Sequence, residues 1–149
     1  MEARQIQKII NNIVSRESEI FDMVYFYGNK SRIQSILSEI ENACTERFPT
    51  AKMLHIDANT FRDETMRMWR DRLMFTPQCD CDLYVFEGIE QIAGMQTTEQ
   101  RLYGILDWLL ENGHQVVVTG DRPTACIDRL TPRICAQLDG GVSFYISAV

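Results

Sequence analysis

Nothing in this chain is apolar for long enough to cross a bilayer. Runs such as residues 83–86 and 116–118 fall far short of the ~20 residues a membrane-spanning helix needs. The opening Met1-Glu2-Ala3-Arg4-Gln5 lacks an apolar core segment, so no secretory signal is read and a cytoplasmic location without membrane contact is expected. Cysteines number only five (Cys44, Cys79, Cys81, Cys126 and Cys135). An odd count without a signal favours reduced thiols over a disulfide framework. Histidines are only two, His55 and His114, both distant in sequence from Cys79-Asp80-Cys81. That C-x-C therefore lacks the second ligand pair a zinc site uses, and no metal site is expected. Lysine supplies just three of the 15 cations, and the net charge is −6. This balance excludes a dominant nucleic-acid-binding surface and leaves weak or no nucleic-acid binding as the expectation. Low-complexity tracts, internal repeats and Pro/Gly-rich linkers are missing too, so residues 1–149 read as one domain.

What is present is an alternation of strands and amphipathic helices. Ile6, Ile9, Ile10, Ile13 and Val14 recur at helical spacing over residues 3–16. Residues 23–27 are a short continuous apolar strand, of the kind buried on both faces. Ile33, Ile36, Leu37, Ile40, Ala43 and Cys44 make residues 31–47 an amphipathic helix, and residues 52–56 form a second strand. Thr60 is expected to start the next helix, with Phe61, Thr65, Met68, Trp69 and Leu73 inward. Residues 83–87 give a third strand. Thr97 and Gln100 suggest a capping box for a helix reaching Asn112 and ending at Gly113. Residues 115–119 and 142–146 supply two more strands, with Pro132 opening a short helix between them. This order calls for an α/β fold with a five-stranded parallel sheet and helices on both faces. Ligands in such sheets bind beyond the carboxyl ends of the strands, where Gly28-Asn29-Lys30, Glu87-Gly88 and Asp121-Arg122 all fall.

The first of those junctions is a phosphate-binding loop cut short. Strand, glycine, Lys-Ser and helix follow the order of a P-loop, G-x-x-x-x-G-K-[ST], but only Gly28-Asn29-Lys30-Ser31 remains, about four residues short. The absent residues would carry the backbone N–H groups that wrap a triphosphate. Lys30 and Ser31 then either keep a phosphate contact at the helix N-terminus or serve as helix start and N-cap, the reading preferred here.

With these segments in place, the sequence resembles the AAA+ domain of the bacterial replication initiator DnaA and its regulatory relative Hda, over nearly the whole chain. Residues 81–94, Cys-Asp-Leu-Tyr-Val-Phe-Glu-Gly-Ile-Glu-Gln-Ile-Ala-Gly, are similar to the family's Walker B segment. Residues 111–123, ending Thr119-Gly120-Asp121-Arg122-Pro123, resemble its sensor-1 strand and following turn. Residues 130–141, with Arg133 and Gln137, resemble its arginine box. The resemblance implies a P-loop NTPase core of three layers. It also marks departures: Glu87 at the metal-anchoring Asp position, Gly88 at the water-polarising acid, and Gln137 at the arginine finger. Removing such a finger can cost about 10³–10⁵ in rate. A pseudo-ATPase needing no cofactor is therefore expected, with Gly28, Asn29, Lys30, Ser31, Glu87 and Asp121 as a degenerate nucleotide edge. The resemblance implies that Arg133 and Gln137 face another AAA+ protein such as DnaA, with a plain surface arginine as the alternative for Arg133.

The alternatives are a weak ATP- or ADP-binding protein using magnesium, in the manner of Hda, and a single-stranded DNA binder. The latter would use Arg62, Arg67, Arg70 and Arg72, which lie in one expected helix and read more simply as a solvated face. Asp121 and Arg122 read as a local ion pair before nucleotide sensing. Met66, Met68, Trp69, Met74 and Phe75 are expected to pack in the core rather than form a partner surface.

Overall fold

Successive residues of a strand point to opposite faces, and the sheet sorts its side chains into two cores accordingly. The computed structural model describes residues 1–16 and 19–148. Its strands are β1 (Met23–Gly28), β2 (Met53–Asp57), β3 (Leu83–Glu87), β4 (Gln115–Gly120) and β5 (Val142–Ile146). They alternate with helices α1 (Ala3–Ser15), α2 (Lys30–Arg47), α3 (Ala58–Arg70), α4 (Gln96–Glu111) and α5 (Pro132–Asp139). The sheet order is β2-β3-β4-β1-β5, and every strand pair is parallel.

Met23 and Tyr25 of β1, Tyr84 and Phe86 of β3, and Val116 and Val118 of β4 face Phe61, Leu102, Leu106, Leu109, Ile134 and Leu138 from α3, α4 and α5. Their neighbours Val24, Phe26, Leu83, Val85 and Val117 point the other way, into a second core built with α1 and α2. Burying one such side chain contributes roughly 1.5–3 kcal/mol. The central strands β1, β3 and β4 are apolar on both faces because both are covered. The edge strand β2 is half exposed along its length.

Three local expectations are corrected. Helix α3 starts at Ala58, because Asp57 ends β2 and caps the helix at once: its carboxylate accepts the Thr60 N–H at 2.8 Å and the Thr60 hydroxyl at 3.0 Å. The capping box at Thr97 and Gln100 does not form, since α4 begins two residues earlier and Met95 occupies the N-cap without a side-chain bond. The inward stripe of α3 is also shorter than its spacing suggests. The helix stops at Arg70, and Arg72 takes a left-handed φ of 57°. The Arg72 and Leu73 N–H groups then return to the Trp69 and Met68 carbonyls, which closes the end in a Schellman turn. Trp69 is left 65% exposed and Leu73 58% exposed.

Candidate functional site

The carboxyl ends of β1 to β4 enclose a cleft of about 440 Å³ lined by Gly28, Lys30, Asp57, Glu87, Gly88 and Asp121, with Glu90, Gln91 and Thr119. Of the residues expected at a nucleotide edge, Gly28, Lys30, Glu87 and Asp121 meet there. Asn29 and Ser31 lie outside the lining.

The β1–α2 junction is a single residue. Gly28 has φ of 124°, and a Cβ there would stand 2.2 Å from the Ile146 carbonyl oxygen, so only glycine fits. The Asn29 N–H donates to that same oxygen at 2.8 Å. The Asn29 side-chain oxygen then accepts the Arg32 N–H at 2.9 Å, the N-cap arrangement. Asn29, not Ser31, is therefore the N-cap, and Lys30 is the first residue of the helix.

Glu87 is held by an imidazole. His55 Nε2 lies 2.7 Å from the Glu87 carboxylate, and His55 Nδ1 lies 2.6 Å from Glu41 on α2. Burial disfavours the imidazolium, but the hydrogen bonds to Glu87 and Glu41 outweigh it and raise the His55 pKa above its ordinary value. Across the cleft, Arg122 forms a two-pronged pair with Asp121, both contacts at 2.7 Å. That hydrogen-bonded pair holds the Asp121 carboxyl below its usual range. The hydrogen bond from the Thr60 N–H does the same for Asp57. Glu90 goes the opposite way, pushed up by burial, and its Oε2 is buried without a partner among the described residues. Four carboxyl groups and Lys30 thus line the cleft, with Glu87 already partnered by His55 and Asp121 by Arg122.

His55, Asp57 and Glu90 were not singled out for the site by sequence reasoning. A signal for the first two exists in the register: Asp57 pairs with Glu87, so His55, two residues earlier, shares that face.

The arginine-box residues lie on α5 against α4. The Arg133 guanidinium sits 4.0 Å over the Tyr103 ring, a cation–π contact. Gln137 Nε2 donates to the Tyr103 carbonyl at 3.0 Å, so this side chain is folded back onto α4. Away from the cleft, the Cys79 and Cys81 sulfurs lie 3.6 Å apart.

The sequence profile of the bacterial DnaA ATPase domain matches residues 2–145. The chain belongs to that family. The DnaA initiator protein of Thermomicrobium roseum is 24% identical over 134 residues, covering 87% of this chain and 29% of that protein. That of Bartonella quintana is 29% identical over 114 residues, covering 74% and 23%. The chain therefore spans less than a third of the length of these DnaA relatives. Among solved structures, domain III of Thermotoga maritima DnaA superposes with a TM-score of 0.84 at 12% identity, covering 97% of this chain and 61% of that one. These likenesses establish a DnaA-like AAA+ fold, related to proteins of replication initiation. Among the described residues of this DnaA-family domain, no helix is long and apolar enough to cross a membrane.

Proposed function

We propose that this DnaA-family domain is a non-catalytic, cytoplasmic module that docks on another AAA+ protein, foremost a DnaA-type initiator, in the control of chromosomal replication initiation. The observation that carries this reading is the one-residue β1–α2 junction, which has no loop to wrap a triphosphate and whose helix start is already capped by Asn29. A magnesium–nucleotide does not fit the residues present. Glu87 is engaged by His55, Gly88 has no side chain with which to orient water, and the cleft sets four carboxylates against Lys30. The domain keeps the sheet and helices that build both sides of a head-to-tail AAA+ contact, without nucleotide chemistry on one side or a finger on the other. Such a contact either closes or propagates, so a docked inert copy caps an assembly instead of extending it.

The test pairs nucleotide binding with capture. A ligand at 100 times its Kd stabilises a fold by about 2.7 kcal/mol, so thermal unfolding with millimolar Mg-ATP or Mg-ADP reads binding directly. No shift and no phosphate release above buffer are expected. Immobilised native domain should retain the DnaA initiator of the same cell, and Arg133→Glu should weaken that capture. A thermal shift abolished by Lys30→Ala, or capture indifferent to Arg133→Glu, would overturn the reading.

A further inference from the structure

The outer side of α3 and the turn after it gather four exposed apolar side chains. Met66, Trp69, Leu73 and Met74 are 41%, 65%, 58% and 89% exposed. Met66 and Trp69 stand three residues apart on one side of the helix, the spacing at which neighbours touch. The Schellman turn at Arg72 carries Leu73 and Met74 on from the helix end. Exposed methionine and tryptophan side chains are adaptable, large anchors of the kind that dominate interfaces. The expectation of core packing is thereby overturned for Met66, Trp69 and Met74, while Met68 and Phe75 are half-buried.

Charge defines what covers them. Residues 65–74 hold three arginines, Arg67, Arg70 and Arg72, against the single Asp71, in a chain whose net charge is −6. All three are exposed, and none forms an ion pair among the described residues. The neighbouring acids are already engaged, Asp63 by Arg62 at 3.1 Å and Glu64 by Arg101. An apolar strip flanked by unpaired guanidinium groups is complementary to a helix with apolar residues on one side and carboxylates beside them. We infer that the outer side of α3 and its cap form a docking surface for an acidic amphipathic helix of a partner protein. A nucleic-acid strand fits less well: three of the four apolar side chains are aliphatic and give bases no ring to stack on. This surface is separate from Arg133 and does not depend on the nucleotide cleft.

Trp69 reports on its own occupancy. In a Trp108→Phe protein it is the sole tryptophan, since the chain has two. The probe is a synthetic helical peptide with leucines on one face and glutamates flanking them. The controls are the same peptide with lysine for glutamate, and an oligothymidylate. The acidic peptide should give a saturable blue shift of Trp69 emission that weakens as salt rises. Arg67→Glu with Arg70→Glu should weaken it by about tenfold or more, with circular dichroism unchanged. Equal binding of acidic and basic peptides would reduce the surface to unspecific stickiness and overturn the inference. So would tighter binding of the oligothymidylate, or no response to the acidic peptide.

Discussion

Helices α3 and α4 lie side by side on one face of the sheet and use their apolar residues in opposite ways. Helix α4 turns Leu102, Ile105, Leu106 and Leu109 inward, none more than 5% exposed. Helix α3 buries only Ala58, Phe61 and Thr65, none of them in its last turn, and leaves Met66 and Trp69 outside. Helix α4 is the more apolar of the two, but composition alone does not say which large side chains stay outside. Position does: α4 packs on the central strand β4, whereas α3 packs on the edge strand β2 and beside α4, and its last turn is left uncovered. One helix holds the fold together and the other presents a face.

The largest effect expected from this contrast comes from truncating each helix. Leu106→Ala, at a fully buried site, should destabilise the domain by about 2–5 kcal/mol, whereas Trp69→Ala should change stability by less than about 0.5 kcal/mol. Urea unfolding of both variants measures the difference. Comparable losses would mean that α3 is as integral to the core as α4.

A smaller effect is expected at the tie between the helices. Arg101 of α4 stacks over Phe61 at 4.4 Å, donates to the buried Thr65 hydroxyl at 2.9 Å and pairs with Glu64. Arg101→Ala should cost about 1–3 kcal/mol, because it leaves a hydrogen-bonded acid and the aromatic face uncovered. Hydrogen exchange of the variant should rise in α3 before it rises in α4. Uniform acceleration would erase the distinction.

The smallest effect concerns the strand that feeds α3. Because the carboxylates of Glu41 and Glu87 raise the folded-state pKa of His55, the protonated ring contributes stability that is complete below the ordinary imidazole value. This stability is lost as pH rises through the folded value. The melting-temperature advantage of native protein over His55→Asn should therefore be largest between about pH 5 and 6 and shrink toward alkaline pH. A constant difference would show that His55 acts by packing alone.

Much of the scaffold is legible in the residues. The runs at β1, β3 and β4 are apolar on both faces because helices cover both, and the stripes of α1, α2 and α4 keep helical spacing. The failures have physical causes. Thr60 looks like a helix start only if a loop follows β2, but Asp57 ends the strand and caps the helix in one position. Leu73 fits an inward stripe only if α3 continues, and a left-handed arginine ends it, whereas Trp69 stays within the helix but on its solvent side. At the cleft, Gly28, Glu87, Gly88 and Asp121 are readable because they end strands or follow them directly. His55 and Glu41 are not, since their meeting depends on strand register and helix placement, which no local pattern encodes.

The pairing of β1 with β4 has a consequence for synthesis. Residues 23–27 align with residues 116–120 at the centre of the sheet, so the first strand emerges long before its neighbours on either side exist. Until the last third of the chain is available, the apolar run at β1 has no native ladder to join. Such sequence-distant pairing slows folding and leaves sticky intermediates exposed. A nascent copy of this domain is thus most vulnerable between the appearance of Gly28 and that of Gly120, the interval in which a chaperone has most to shield.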